Sequence, residues 1–333
     1  MVVVNTMWWV LAIGQEDNPP LTETMTVKRH IVDVRVIDTF GRPVPGLTAA
    51  DFELTQRGRP ISILSCDWVA ENAGPRAQGE ERPRPATRLV VLFFQVELAA
   101  PRVRGLQDKI NRAMQVVGPL PMTDRVAVLS FDSHLKLWQD FTNSEARIRT
   151  ALRKALRRER APYPEPTHAL SLAGFLDQEA GKKAASPEKA LAVLARALGS
   201  YRETKLLVYL GFGPADFWRG NFQLREDYPE AKRALIASRT TVIGLDFARM
   251  DYPTIDLAMR QLADDTGGFF LKTPQFTRRA TNKLHNSIAG YYLISHVPPA
   301  DENGRMRLRL VGQKGQILVK SPYNAWGNSA TDR

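Results

Sequence analysis

The run Arg88 to Phe94, RLVVLFF, constrains the fold more than any other stretch of this chain. From Leu89 to Phe94 it holds no polar residue, so it offers no face to water, and a strand of that kind belongs in a parallel sheet covered on both sides. Its character changes at Gln95, Val96 and Glu97. In open α/β sheets ligands sit where strands finish, at their carboxyl ends, so Gln95 and Glu97 are the first candidates for a functional surface. Lys205 to Leu210, KLLVYL, is a second strand of the same buried type.

Around these two strands the pattern alternates. Val103 to Val117 reads as a helix, Arg125 to Phe131 and Leu135 to Phe141 as strands, and the tight Asp132-Ser133-His134 connection makes them an edge hairpin. A basic helix follows. Then come a helix from His168 to Glu179 and one opened by Ser186 as N-cap and Pro187 at the first position. After Lys205 to Leu210 the order is helix Tyr228 to Ser238, strand Thr240 to Leu245, helix Tyr252 to Asp265 ended by Gly267-Gly268, strand Phe269 to Lys272 and helix Phe276 to Ile288. This alternation predicts a doubly wound, mostly parallel α/β sheet.

The two ends of the chain carry a different period. At the front, Val32, Val34 and Val36 alternate with Asp33 and Arg35, predicting a half-buried strand; DTFGRP from Asp38 is a turn, Thr48 and Asp51 cap one helical turn, and Phe52 to Leu54 and Ile61 to Leu64 flank the turn Arg57 to Pro60. At the back, Tyr291 to Ser295 is apolar, Met306, Leu308 and Leu310 alternate with arginines, and Ile317 to Val319 follows a glycine turn. Each region alone is too small for a good core, so the expectation is one small antiparallel β domain built from both ends. The predicted division is a leader over 1–25, β structure over 26–70, a Pro- and Gly-rich linker over 71–87, the α/β domain over 88–289, the second β part over 290–323 and a tail over 324–333.

A net charge of +11 raises the question of an anionic partner, and its location matters more than its sum. Much of it lies on TNSEARIRTALRKALRRER, where Thr142 and Glu145 read as a capping box and Ile148, Ala151, Leu152, Ala155 and Leu156 form one apolar stripe. The other face carries Arg147, Arg149, Arg153, Lys154, Arg157 and Arg158. No zinc-finger spacing, RNP-like motif or aromatic stacking series accompanies it, so the reading is a solvated outer face, with anionic-polymer or nucleic-acid binding over 144–160 as the alternative. The single cysteine, Cys66, excludes an internal disulfide framework and a cysteine-based zinc cluster. The apolar start MVVVNTMWWVLAIGQ is shorter than the roughly 18 to 20 residues a spanning helix needs. Ala12-Ile13-Gly14 before Gln15 fits a cleavage site, although no Lys or Arg precedes Lys28, so the expected location is secreted, periplasmic or cell envelope, with cytoplasmic as the alternative.

Several phrases in serial order resemble the von Willebrand factor type A-like domain, and more narrowly its acidobacterial VWFA-related subfamily. They are VIDTFGRPVPGLTAADFELTQRGRPISI, RLVVLFF, DRVAVLSFD, QDFTNSEARIRTAL, Thr167 ahead of a helix, KLLVYLGFG, LADDTGGFF and YYLISHVPPADENGRMRLRL, spanning about Val27 to Tyr323. The resemblance implies a divalent metal at the top of the sheet, held by Asp-x-Ser-x-Ser at the end of the first strand, a later Thr and a second Asp. On this chain those positions hold Gln95, Glu97, Ala99, Thr167 and Phe212. Both carboxylates of the motif are therefore absent, and Mg²⁺ wants hard oxygen ligands that commonly include one or two carboxylates. Glu97 offers one from a displaced position. The expectation is a metal-free remnant of the site, with no cofactor.

The resemblance implies protein-protein interaction or adhesion, so the leading reading is a non-enzymatic module whose partner is another protein. Its binding surface is Gln95, Glu97, Ala99, Thr167, His168 and Phe212, with Phe212 either exposed in an interface core or plugging the vacated site. No G-x-S-x-G, P-loop, HExxH or G-x-G-x-x-G motif occurs. A hydrolase-like alternative rests on Glu97 and His168 as an acid/base pair. No small-molecule substrate is expected.

Overall fold

The structure, a computed structural model, describes residues 30–38, 40–70, 87–95, 114–115, 123–157, 161–166, 170–211, 213–214, 216–218, 221–246, 253–272, 277–297, 306–312, 316–319 and 323–326. The first strand, β1 (His30–Ile37), turns Val32, Val34 and Val36 inward. Asp33 and Arg35 do not face water as the alternation suggests; they are only 8% and 5% exposed. The cause is a second covering layer. Arg35 Nη1 donates to Thr241 Oγ1 at 3.2 Å and Asp33 pairs with Arg239, both across the seam to the α/β sheet. Beyond β1 the Asp38 carboxylate accepts the Phe40 and Arg42 N–H groups at 2.8 Å each, closing the turn. The Asp51 carboxylate likewise accepts Thr48 N–H at 2.7 Å and holds a short 3-10 turn, Ala49–Asp51. Strands β2 (Phe52–Gln56) and β3 (Arg59–Pro60) form a hairpin through Arg57 and Gly58, whose φ of 50° and 80° suit a two-residue turn twisted with its strands. Then follows β4 (Ile63–Ala70).

The central unit begins with β5 (Arg88–Gln95), buried from Arg88 to Phe94. It continues with β6 (Arg125–Phe131), β7 (Leu135–Thr142) and helix α1 (Glu145–Arg157). Next are a 3-10 turn (Leu172–Gly174), α2 (Gln178–Lys183), α3 (Pro187–Leu198) and β8 (Thr204–Leu210). A small hairpin of β9 (Asp216–Trp218) and β10 (Asn221–Gln223) precedes α4 (Tyr228–Ala237), β11 (Thr240–Asp246), α5 (Pro253–Asp265), β12 (Phe270–Lys272) and α6 (Thr277–Ser287). The six-stranded sheet has the order β12-β11-β8-β5-β6-β7, parallel except for the β6–β7 edge pair. Both faces are covered. Leu89, Val91 and Phe93 pack with Leu191 and Leu194 of α3 and Leu235 of α4, while Val90, Leu92 and Phe94 pack with Ile148 and Leu152 of α1 and Leu284 of α6. At about 1.5–3 kcal/mol per buried large apolar side chain, β5 alone makes a large contribution to the core. Its start is fixed by an ion pair: Arg88 Nε and Nη2 donate to the two Asp124 oxygens at 3.0 and 2.7 Å, and Arg88 Nη1 donates to the Ile288 carbonyl.

The last strands are β13 (Gly290–His296), β14 (Met306–Leu310), β15 (Gln316–Val319) and β16 (Tyr323–Trp326). They interleave with the first ones in two four-stranded sheets, β15-β1-β13-β4 and β16-β14-β2-β3. One apolar cluster joins the sheets, with Val34, Tyr292 and Ile294 from one and Phe52, Leu54, Met306 and Leu308 from the other. Tyr292 is its hinge pin: its hydroxyl donates to Val44 O at 2.7 Å and accepts Leu47 N–H at 2.9 Å, and its ring meets Trp68 at 4.7 Å.

The span read as a tail from 324 begins inside β16, which pairs parallel with β14, so the end domain is not wholly antiparallel. Two further local expectations are corrected. The capping box at Thr142 does not form, because Thr142 is the last residue of β7; its Oγ1 instead accepts Ser144 N–H at 3.1 Å, and Ser144 stands as N-cap, with its carbonyl accepting Ile148 N–H. The helix expected from His168 to Glu179 is, where described, the 3-10 turn and the short α2. The Asp140 carboxylate accepts Leu172 N–H at 2.7 Å and the Ser171 hydroxyl, which fixes the turn, and Asp177 then caps a new helix through Ala180 N–H. The expected linker and the helix from Val103 lie mostly outside the described residues.

Candidate functional site

The chain leaves β5 toward β6 on one side and leaves β8 toward β11 on the other, so the winding reverses between β5 and β8. A doubly wound sheet opens its crevice at that switch point, above the carboxyl ends of the two strands. Gln95 stands there as the last residue of β5. Its Oε1 accepts the Tyr209 hydroxyl at 2.9 Å. Tyr209 is fully buried on β8, with its ring 4.9 Å from that of Phe93. Burial first, and then the charge of Glu188, raises the Tyr209 phenol well above its ordinary range, so it stays protonated and serves as a donor. Glu188 is itself buried in the first turn of α3. Gly211 completes this floor: a Cβ there would lie 2.6 Å from Gln95 Cβ and 2.9 Å from a Tyr209 ring carbon, so only glycine lets the two strand ends close up.

Of the residues expected at this surface, only Gln95 is described. Glu97, Ala99, Thr167, His168 and Phe212 lie outside the described residues, so the acid/base pairing of Glu97 with His168 does too. Among the described residues no three His, Cys, Asp or Glu side chains come together as a ligand set. Gln95 does not fit Mg²⁺ well: it is a neutral amide whose oxygen already accepts the Tyr209 hydroxyl's hydrogen bond, where a hard cation calls for carboxylate oxygen. Nothing in the sequence pattern marks Tyr209 or Glu188 as part of this surface. Tyr209 is one hydroxyl inside an apolar run, and Glu188 looks like an ordinary acidic residue in a first helical turn.

Beside Gln95, in register with Phe131, the β6–β7 hairpin gathers Asp132, Ser133, His134 and Lys136. Ser133 Oγ lies 3.0 Å from His134 Nδ1 and 3.3 Å from Asp132 Oδ1. A hydrolytic triad needs the imidazole to bridge serine and carboxylate through its two nitrogens. Here Ser133 Oγ and Asp132 Oδ1, the latter 3.9 Å away, approach the same Nδ1, so no bridge exists. Asp132 belongs instead to Lys136, 2.6 Å away. Burial raises its carboxyl, but the Lys136 hydrogen bond and charge outweigh that and hold it below the usual range.

On α1, Ile148, Ala151, Leu152 and Ala155 are buried, and Arg147, Arg149, Arg153 and Lys154 are exposed. Arg149 pairs with Glu145 at 2.5 Å. Arg157 closes the helix, and Arg158 lies outside the described residues.

Comparison with known proteins yields no matching family model and no matching curated protein. Solved structures do resemble the chain. The conserved hypothetical protein BatB from Bacteroides thetaiotaomicron aligns at TM-score 0.38 and 11% identity, over 60% of this chain and 98% of its own. The vWF domain of the type V pili tip protein Mfa5 from Porphyromonas gingivalis aligns at TM-score 0.41 and 11% identity, over 61% of this chain and 95% of its own. The human COPII-coat protein Sec24c aligns at TM-score 0.42 and 10% identity, over 71% of this chain and 42% of its own. Likeness at this level says nothing about partner or activity.

Proposed function

We propose that this chain is a non-catalytic protein-interaction module of von Willebrand factor type A kind, exported to the cell envelope or beyond, that binds its partner at the carboxyl ends of β5 and β8 without a metal. The observation that carries the reading is the state of Gln95. It stands where a strand-end ligand belongs, yet its amide oxygen is held by a buried phenol and its stem is pressed against Gly211. That fixes the partly exposed Gln95 side chain over a buried aromatic floor, an arrangement suited to present one fixed polar group to another surface and unsuited to exchange ligands around a cation. The strand order, with its one antiparallel edge strand, supports the family assignment, and among the described residues no helix is long and apolar enough to cross a membrane.

The test is site-specific photo-crosslinking in envelope extract of the source cells. A photoreactive residue at Gln95 is expected to trap one protein, equally with and without EDTA, while the same residue at Arg153 traps none of it. Adducts that vanish with EDTA, or that form only from Arg153, would contradict the reading.

A further inference from the structure

At the other end of the sheet, a half-open cavity of about 780 Å³ lies between the edge hairpin and the start of α1. We propose that it binds an anionic saccharide, with a uronic-acid carboxylate seated between Arg125 and Arg147. The proposal is independent of the strand-end crevice, since Arg125 opens β6 and Gln95 is in register with the residue that closes it.

The local fold brings the two arginines together. Only Asn143 and Ser144 separate β7 from α1, so the first turn of the helix folds back beside the start of β6, and Arg125 and Arg147 line the same cavity. Some arginines of the chain find acids, Arg42 with Asp38, Arg149 with Glu145 and Arg196 with Glu230, while others such as Arg153 on the open helix face find none among the described residues. Arg125 and Arg147 have no carboxylate partner among the described residues, although two acids line the same cavity. Asp140 is committed elsewhere, since its carboxylate accepts Phe141 N–H, Leu172 N–H and the Ser171 hydroxyl. Glu165 is exposed and pairs with neither arginine. Two guanidinium forks thus share a concave site, an arrangement matched to a planar carboxylate.

The remaining lining selects the class of ligand. Glu165 and the amide oxygen of Gln139, whose Nε2 donates to the Asp140 carbonyl, line it as acceptors able to meet neighbouring hydroxyls. Phe141 lines the floor but is only 2% exposed, so no aromatic plate is offered to a base.

The experiment is titration calorimetry on the full chain with three probes: a tetrasaccharide of glucuronic acid, the neutral glucose tetrasaccharide and a tetraglutamate peptide. The expected result is saturable binding of the glucuronate probe alone. R125Q and R147Q should each weaken it at least tenfold. R125K should weaken it similarly, because lysine keeps the charge and loses the fork. R153Q/K154Q, outside the cavity, should change it less than threefold. Urea midpoints of the variants, and the charge-keeping R125K, separate a lost site from a lost fold. Equal binding of tetraglutamate overturns the saccharide assignment; no saturable binding of any probe at millimolar concentration overturns the site; and a loss in R153Q/K154Q as large as in R125Q overturns the cavity in favour of diffuse charge.

Discussion

The Arg88–Asp124 pair sets the foot of β5, the strand that carries Gln95 to the crevice, and its removal has a calculable cost. Both residues are at most 3% exposed, and two parallel N–H to oxygen bonds of 3.0 and 2.7 Å join them. Asp124→Leu leaves a guanidinium in the protein interior without its counter-charge; Arg88→Met does the same to the carboxylate. Breaking a buried pair from one side costs about 3–5 kcal/mol, against a total stability of about 5–15 kcal/mol for a typical domain. At a urea slope near 2 kcal/mol per M, each single variant should lose about 2 M in unfolding midpoint. Removing both charges also removes the desolvation cost, so the double variant should lie well above the sum of the singles, with a coupling of at least about 3 kcal/mol. The assay is equilibrium urea unfolding followed by circular dichroism on all four proteins. Additive losses, or single losses below about 1 kcal/mol, would refute the claim that this pair is a tightly coupled buried contact.

Two further outcomes are expected. A Cβ on Gly268 would sit 1.8 Å from the Val242 carbonyl oxygen, a backbone atom that cannot swing away. Gly268→Ala should therefore cost several kcal/mol in urea unfolding, whereas Gly46→Ala, at φ +83° with open space around it, should cost only about 1–2 kcal/mol of backbone strain. Burial, opposed by the Val297 carbonyl and aided by His30, holds His296 below its ordinary 6.5. The unfolded chain then binds the proton more readily, so stability is full above pH 6.5 and is lost as pH falls from there through the folded value. The urea midpoint should drop between pH 7 and pH 5, and the drop should shrink in His296→Gln; an unchanged drop would discount this histidine.

Much of this architecture could be read from periodicity. Strands β5, β6 and β8 are apolar runs because helices cover both of their faces, and β14 alternates because one of its faces meets water. The same rule failed at Asp33 and Arg35. Alternation reports polarity, and a polar face can be buried when Thr241 and Arg239 of another layer answer it. The turn at Leu172 was hidden for a related reason: the Asp140 carboxylate that shapes it lies about thirty residues away in sequence. Short β9, β10 and β16 carry too few residues for any period to show. At the crevice, Gln95 was visible as the end of an apolar run, but its tether was not, since Tyr209 stands 114 positions away. The Arg125–Arg147 cavity was equally hidden, because its two cations belong to different elements and meet only through the short β7–α1 connection.

The central claim is that the strand-end surface around Gln95 works without a metal. Calorimetric titration of the chain with Mg²⁺ and with Mn²⁺ tests it most directly. No saturable heat is expected below millimolar concentration, in the native chain and in Glu97→Ala alike. Micromolar binding of either ion, abolished by Glu97→Ala, would contradict it and return this surface to metal-dependent recognition.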